Sequence, residues 1–362
     1  MDPKKPLLTD SHGGRIFEAA RLLGRPWRDI IDFSANINPF GQPDGLKKHL
    51  FEQFSSTLHY PEEKAQSFTQ ALSQFYQVNA DHFLPGAGST VHIYLLARLL
   101  GLKGQNVIVG PAFSEYEAAL KAAGANYVYV NALEKDNFLV NRRTLEDIFN
   151  QRPRVIFLAN PANPTGQLIA EEIMEELLTE TQAKKIYLVV DEAFIDFTDQ
   201  PSLTPQIEKY PYLAILRSLT KIMAVPGLRL AYLVAAPDLV HQLWSQLGPW
   251  PLSSLAIAAG LYHLNAPFDQ VALNQKILAL AAALNFATLS ISQSYPSRAN
   301  YGLFKLRAPE RVDELIHFFF QHNLLVRDAR NFPGLRPGWL RLAVRPAQEI
   351  ETLAQLVEKF HA

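Results

Sequence analysis

Short apolar runs recur along the chain and alternate with amphipathic helical patterns. The runs are NVIV (106–109), YVYV (127–130), RVIFLA (154–159), IYLVV (186–190), LAIL (213–216) and LRLAYLVA (228–235). Between them lie helical segments such as 115–123 and 170–181. A strand that is apolar on both faces must be covered on both faces, and helices between strands supply the cover. This pattern predicts an α/β fold with a large, mostly parallel sheet. In open sheets of this kind ligands bind beyond the carboxyl ends of the strands, so the residues that follow each run are where chemistry is sought.

The pattern changes at GPWPLSS (248–254), after which helical periodicity dominates, joined by a few strands such as YGLFKL (301–306) and WLRLAV (339–344). The expected organisation is an N-terminal arm at 1–40 that contributes to the small domain and the active site, a large domain at 41–250, and a smaller α+β domain at 251–362. A helix is expected over Ile16–Leu23, stopped by Gly24. The most apolar helical stretch, ILALAAAL (277–284), is expected to end at Asn285, too short to span a bilayer. MDPKKPLLTDSHGG has no apolar core of the signal-peptide kind, which gives a cytoplasmic expectation.

Composition removes several function classes. The net charge of −1 gives no global reason to bind nucleic acid or an anionic membrane. The chain has no cysteine, so thiolate catalysis and disulfides are excluded. The histidines show no metal-ligand spacing such as H-E-x-x-H, and no G-x-S-x-G elbow is present. The acidic pair Asp196/Asp199 reads as solvated. A nucleotide-binding module is disfavoured because GAGSTV lacks the third glycine of the dinucleotide fingerprint.

The residues after the strands assemble one kind of site. PGAGST (85–90) opens a helix, so Gly88, Ser89 and Thr90 can offer N–H groups and hydroxyls to a phosphate. Ser218 and Arg229 can add phosphate contacts, the guanidinium being rigid and always charged. Asp191 can pair with a protonated ring nitrogen, Asn163 can donate to a ring oxygen, and Phe113 can stack on a ring face. Lys221, in SLTKIMAVPGLR, sits in apolar company that disfavours its charge and favours a nucleophilic amine. A phosphate, an aromatic ring with a basic nitrogen and an aldehyde describe pyridoxal 5′-phosphate.

The ordered set GAGST, PAF, NPANPTG, DEAF, SLTK and GLR resembles the aspartate-aminotransferase superfamily of pyridoxal-phosphate enzymes, fold type I, over nearly the whole chain. That resemblance implies that Lys221 captures the cofactor aldehyde, Asp191 holds the ring nitrogen, Asn163 meets the ring hydroxyl and Phe113 stacks. Gly88, Ser89, Thr90, Ser218 and Arg229 would hold the cofactor phosphate. It also implies a homodimer with sites at the interface, in which Tyr60 of LHYPEEK reaches the phosphate of the neighbouring subunit.

In such enzymes the anchors of the substrate decide which bond at Cα breaks, because the breaking bond has to stand perpendicular to the ring plane. Strand alternation puts Arg341, Ala343 and Arg345 on one face, an anion site with Arg345 at its rim. Arg330 and Arg336 read as surface charge. HGG (12–14), DFSANINPFG (32–41), NFPGL and LRLAVR resemble the threonine-phosphate decarboxylase branch, whose near relatives are the histidinol-phosphate aminotransferases. By that resemblance Arg341 holds a substrate carboxylate, while His12, Asn36 and Arg327 hold a substrate phosphate. The aminotransferases usually carry Tyr where this chain has Phe194, which lacks the hydroxyl that contacts the cofactor. The expected reaction is decarboxylation of L-threonine O-3-phosphate, with transamination as the alternative.

Overall fold

A computed structural model describes residues 12–266 and 268–361, so the first eleven residues of the expected N-terminal arm, Ser11 among them, lie outside the described part. The first strand, β1 (Ile31–Asp32), stands apart from the large sheet. That sheet is built from β2 (Phe83–Gly86), β3 (Asn106–Gly110), β4 (Tyr127–Asn131), β5 (Val155–Ala159), β6 (Tyr187–Asp191), β7 (Leu213–Ser218) and β8 (Ala231–Ala235). Their order is β2-β8-β7-β6-β5-β3-β4. The β3–β4, β3–β5, β5–β6 and β6–β7 pairings are parallel, and β8 is antiparallel to both of its neighbours. The mostly parallel sheet is as expected, with helices such as Glu171–Ala183 between its strands.

Two differences from the sequence expectation have local causes. LRLAYLVA narrows to Ala231–Ala235 because Pro226–Leu228 forms a 3-10 turn and Arg229 adopts a left-handed φ of 57°. β2 carries no periodic signal, since its four residues FLPG include a proline and a glycine. It lies at the sheet edge, where a proline is tolerated.

The remaining strands are β9 (Ser292–Ser294), β10 (Tyr301–Leu306), β11 (Leu324–Leu325), β12 (Arg327–Asp328) and β13 (Trp339–Ala343). They make a small antiparallel sheet of order β12-β13-β10-β9, while β11 pairs in parallel with β1. That pairing ties the N-terminal segment to the C-terminal part of the chain. Past β1, Phe33 O accepts from Ala343 N at 2.8 Å, and Asn38 N donates to Lys221 O at 3.1 Å. The segment 33–38 is therefore laid between the two sheets. One apolar cluster runs through this junction, joining Phe33 and Val190 to Tyr301 and Leu340.

The expected boundary at 250 falls before the helix Ser254–Asn265, which packs on the helices Leu46–Glu52 and Gln66–Tyr76. Packing passes to the small sheet only with the next helix, Gln270–Thr288, which meets β9 and the last helix, Ala347–His361. This helix also corrects the expectation for ILALAAAL. Asn285 is an exposed position on it rather than its end, and the helix runs to Thr288, whose hydroxyl donates to Leu284 O at 3.2 Å. At 19 residues and a mean hydropathy of 1.2, it is long and apolar enough to cross a membrane by length and composition alone. Its Asn274 is buried and donates to Phe197 O at 2.8 Å.

Candidate active site

Lys221 lies on the one-turn helix Leu219–Ile222 directly after β7. The chain then turns back at Pro226-Gly227 and returns as β8, antiparallel to β7. Lys221 and Arg229 therefore leave and re-enter the same end of the sheet. Lys221 Nζ donates to Thr220 Oγ1 at 3.2 Å, and Thr220 Oγ1 lies 2.8 Å from Ser218 Oγ. Burial, the Arg229 guanidinium and Arg341 push the Lys221 ammonium down to about 8, against the pull of Asp191.

Asp191 ends β6 and is buried. Its Oδ2 accepts from Tyr116 Oη at 2.8 Å and its Oδ1 from Ala193 N at 3.0 Å. Burial raises the carboxyl, while Tyr116, the Ala193 N–H and Lys221 favour its charged form. Burial and Asp191 hold the Tyr116 hydroxyl well above its ordinary value, so it stays a donor. Tyr116 also meets Phe113 edge-on, with ring centroids 6.0 Å apart. Neither Tyr116 nor Thr220 was singled out from the sequence. The available signal was position: Tyr116 follows Phe113 by three residues on one helix face, and Thr220 sits between Ser218 and Lys221.

Gly88 stands at the N-terminus of the helix Ser89–Leu100 with φ +94°. A Cβ there would fall 2.1 Å from Arg229 Nη2, so the guanidinium lies against the helix start. Ser89 and Thr90 are the first two residues of that helix, half-buried, in the turn where N–H groups have no intrahelical acceptor. Among the described residues Arg229 forms no ion pair and its Nη1 donates to Pro226 O at 3.1 Å, so a helix N-terminus and a guanidinium lie side by side, a pairing chemically suited to an anion.

The second part of the site lies on β12 and β13. Arg327 and Arg341 are direct partners across these strands, and both are buried. Arg341 Nη1 donates to Asn163 Oδ1 at 2.6 Å and Nη2 to Ser34 O at 2.7 Å, while its Nε has no partner. Arg327 Nη1 donates to Asp328 O at 2.6 Å and Nη2 to Asn331 Oδ1 at 2.7 Å. All these acceptors are neutral, and no carboxylate makes an ion pair with either arginine among the described residues. Like charges opposite one another destabilise a sheet. Burial and Arg327 push Arg341 down to about 9, and burial pushes Arg327 down to about 10. Asn36, on the segment between Ser34 and Asn38, is buried with both amide atoms unpartnered. Two facing cations that form no ion pair among the described residues are chemically suited to hold an anion.

The structure thus draws Lys221, Asp191, Asn163, Ser218, Arg229, Gly88, Ser89, Thr90, Phe113, Asn36, Arg327 and Arg341 into one linked region. His12 is exposed, rests on Phe113 with ring centroids 5.4 Å apart, and has Nε2 2.9 Å from Glu115 Oε1. The strap that carries it is held close: Gly14 N donates to Ser34 Oγ at 2.9 Å, and a Cβ on Gly13 would fall 2.0 Å from Ser34 O. Tyr60 stands on the surface, 80% exposed, with its ring stacked on Trp250 at 4.5 Å. Phe194 packs edge-on against Tyr301 at 4.9 Å, and Arg341 lies over the Tyr301 ring at 5.6 Å.

Three charge expectations change. Asp196 is not simply solvated: it accepts from the buried Arg217 Nη2 at 2.6 Å, and Arg217 Nη1 donates to Glu192 Oε2 at 3.3 Å. This buried network braces the residues next to Asp191 and Ser218. Asp199 pairs with Arg298 at the surface. Arg345 lies beyond the end of β13 and pairs with Glu349 at 2.7 Å. Arg330 is three-quarters buried and pairs with Asp328 and Asp313, whereas Arg336 is exposed as expected. No group of three or more acidic or histidine side chains that could hold a metal occurs among the described residues.

The family model "Aminotransferase class I and II" matches residues 28–360. The threonine-phosphate decarboxylase of Salmonella typhimurium is 35% identical over 96% of this chain and 95% of its own length. A histidinol-phosphate aminotransferase of Desulfitobacterium hafniense is 33% identical over 90% of each chain. The crystal structure of L-threonine-O-3-phosphate decarboxylase from Porphyromonas gingivalis superposes with a TM-score of 0.80 at 26% identity, over 92% of this chain and 99% of that one.

Proposed function

Because this chain belongs to the class I and II aminotransferase family, a fold type I family dependent on pyridoxal 5′-phosphate, we propose that it decarboxylates L-threonine O-3-phosphate to (R)-1-aminopropan-2-ol O-phosphate. The observation that carries this reading is the pair of buried guanidinium groups, Arg327 and Arg341, facing one another with no carboxylate in ion-pair contact among the described residues. A substrate with both a carboxylate and a phosphate supplies two anions to two cations. The 35% identity to a threonine-phosphate decarboxylase supports the same choice.

The residues fit the cofactor. Asp191 is a buried carboxylate with two donors already fixing its orientation. Lys221 is an amine shifted toward its neutral form, and Arg229 closes on the Gly88 turn as a phosphate cradle requires. When bound, pyridoxal phosphate supplies the aldehyde that takes an amine and the electron sink for the bond that breaks. Asp191 would keep the ring nitrogen protonated. Arg341 would hold the substrate carboxylate, and Arg327, Asn36 and His12 its phosphate. Loss of carbon dioxide consumes one proton at Cα, which we assign to Lys221 Nζ. Asn163, held by Arg341 through Oδ1, has its Nδ2 left to donate to the ring hydroxyl, the one contact Phe194 cannot make.

The exposed Tyr60 lies in a stretch with other exposed aromatic and aliphatic side chains, Phe51, Phe54 and Leu58. We place this face in a homodimer interface, with Tyr60 reaching the cofactor phosphate of a second copy, in a cytoplasmic enzyme that supplies the aminopropanol phosphate arm of cobalamin.

A second reading, transamination of histidinol phosphate, is favoured by the 33% identity to a histidinol-phosphate aminotransferase. One assay separates the two. Protein loaded with cofactor is given threonine phosphate while carbon dioxide is followed, then histidinol phosphate with 2-oxoglutarate while glutamate is followed. Carbon dioxide in the first arm is the expected result; glutamate in the second without carbon dioxide in the first overturns the decarboxylase reading.

Capture of the cofactor should follow the Lys221 titration. Only the neutral amine attacks an aldehyde, and the group is shifted from its ordinary value down to about 8. Below pH 8 the uptake rate of the cofactor-free protein is expected to rise about tenfold per pH unit, and above it to level off. Stopped-flow absorbance between pH 6.5 and 9.5 tests this. A rate still climbing tenfold per unit at the top of that range would show an unshifted lysine.

A further inference from the structure

Arg327 is followed immediately by an acidic residue, Asp328, which is 1% exposed and raises the Arg327 guanidinium against its burial. An adjacent buried carboxylate would be expected to cancel the charge that Arg327 offers to a substrate. In the structure that carboxylate is committed elsewhere. Asp328 Oδ1 accepts from Arg330 N at 2.9 Å, and its Oδ2 accepts from Arg330 Nε. Arg330 in turn donates through Nη2 to Asp313 Oδ1, on the helix Val312–Gln321, which packs on β11. Arg327 meanwhile uses its two terminal nitrogens on the Asp328 carbonyl and the Asn331 amide oxygen, both uncharged.

The charges along this turn therefore alternate. Arg327 faces Arg341 across the strands, Asp328 faces Arg330, and Arg330 faces Asp313. We propose that Arg330 is a positioning residue of the anion site: by taking the Asp328 carboxylate it leaves the paired Arg327 and Arg341 with their full positive charge for the substrate. Arg330 touches neither substrate nor cofactor in this scheme and acts through Asp328. The inference rests on the reading of Arg327 and Arg341 as the substrate-anion site.

The test uses the holoenzyme with inorganic phosphate as the probe, read by calorimetry, alongside KM and kcat for threonine phosphate. Arg330→Met leaves Asp328 uncompensated beside Arg327. It is expected to weaken phosphate binding and raise KM by about tenfold, with kcat changed by less than about twofold. Arg330→Lys, which keeps the charge, should recover most of the loss. The double variant Asp328→Asn with Arg330→Met should recover it too, because the carboxylate to be neutralised is gone. A role in packing alone would not be rescued by the Asp328 change, so a double variant as weak as Arg330→Met overturns the proposal. So does phosphate binding by Arg330→Met at the wild-type level. If Arg330→Met does not fold, Asp328→Asn alone decides: binding at least as tight as wild type supports the proposal, and weaker binding overturns it. Failure of the underlying reading shows separately, as unchanged phosphate binding in Arg327→Met.

Discussion

Replacing Lys221 with alanine is expected to lower kcat more than about a thousandfold, because in the proposed mechanism the residue would supply both the amine that captures the cofactor and the proton returned to Cα. The proposed phosphate cradle of Gly88, Ser218 and Arg229 is untouched, so the variant should still bind pyridoxal phosphate, though reversibly. Borohydride treatment followed by denaturation reads this directly. Cofactor absorbance stays with the wild-type chain and is lost from the alanine variant. A variant that keeps more than a few per cent of wild-type kcat would remove Lys221 from the mechanism. Stability of the cofactor-free protein offers an independent check. Burial, Arg229 and Arg341 push the folded-state lysine down to about 8, while an unfolded lysine titrates near about 10.4. Between those values the unfolded chain holds more protons, so stability rises with pH across that window. In the alanine variant that rise should disappear.

The Asp191→Asn variant is expected to lose about a hundredfold to a thousandfold in kcat, with KM changed only a few fold. Asparagine has nearly the same shape and can still accept from the Ala193 N–H, which holds Asp191 Oδ1 at 3.0 Å. It cannot carry the charge that keeps a ring nitrogen protonated, and the Tyr116 hydroxyl, now a donor at 2.8 Å, would have to turn and accept. The loss therefore falls on the chemical step rather than on substrate binding. Steady-state kinetics separates the two, and ¹⁵N spectroscopy of labelled cofactor reports the ring proton without reference to turnover. A variant with wild-type kcat, or one impaired only in KM, would show that Asp191 does not serve the ring nitrogen.

Much of the proposed cofactor half of the site could be put forward from the sequence because its residues sit at fixed places along short segments. Ser218, Lys221 and Arg229 lie within one strand, one turn and the return toward the next strand. Asp191 and Asn163 follow apolar runs whose burial on both faces already implied a parallel sheet. The charged groups were less legible, since a charge's role depends on which opposite charge reaches it. Asp196 looked like an exposed loop acid, and Arg330 like a surface cation. Each acquires its role from a partner brought in by packing, Arg217 for the first and Asp328 with Asp313 for the second.

Local pattern was therefore enough for the α/β architecture and the cofactor, and it proposes the phosphate turn and the reactive lysine, because periodicity and strand-end position are properties of neighbouring residues. The substrate side was a matter of the folded chain. Ser34 and Arg341 are 307 residues apart in sequence and 2.7 Å apart in space, and Asn163 meets the same guanidinium across 178 residues. β1 joins β11, and the segment that follows it is drawn between the sheets to Lys221. The facing of Arg327 and Arg341 depends on antiparallel register across two strands. Register is a relation between distant segments that neither segment contains by itself.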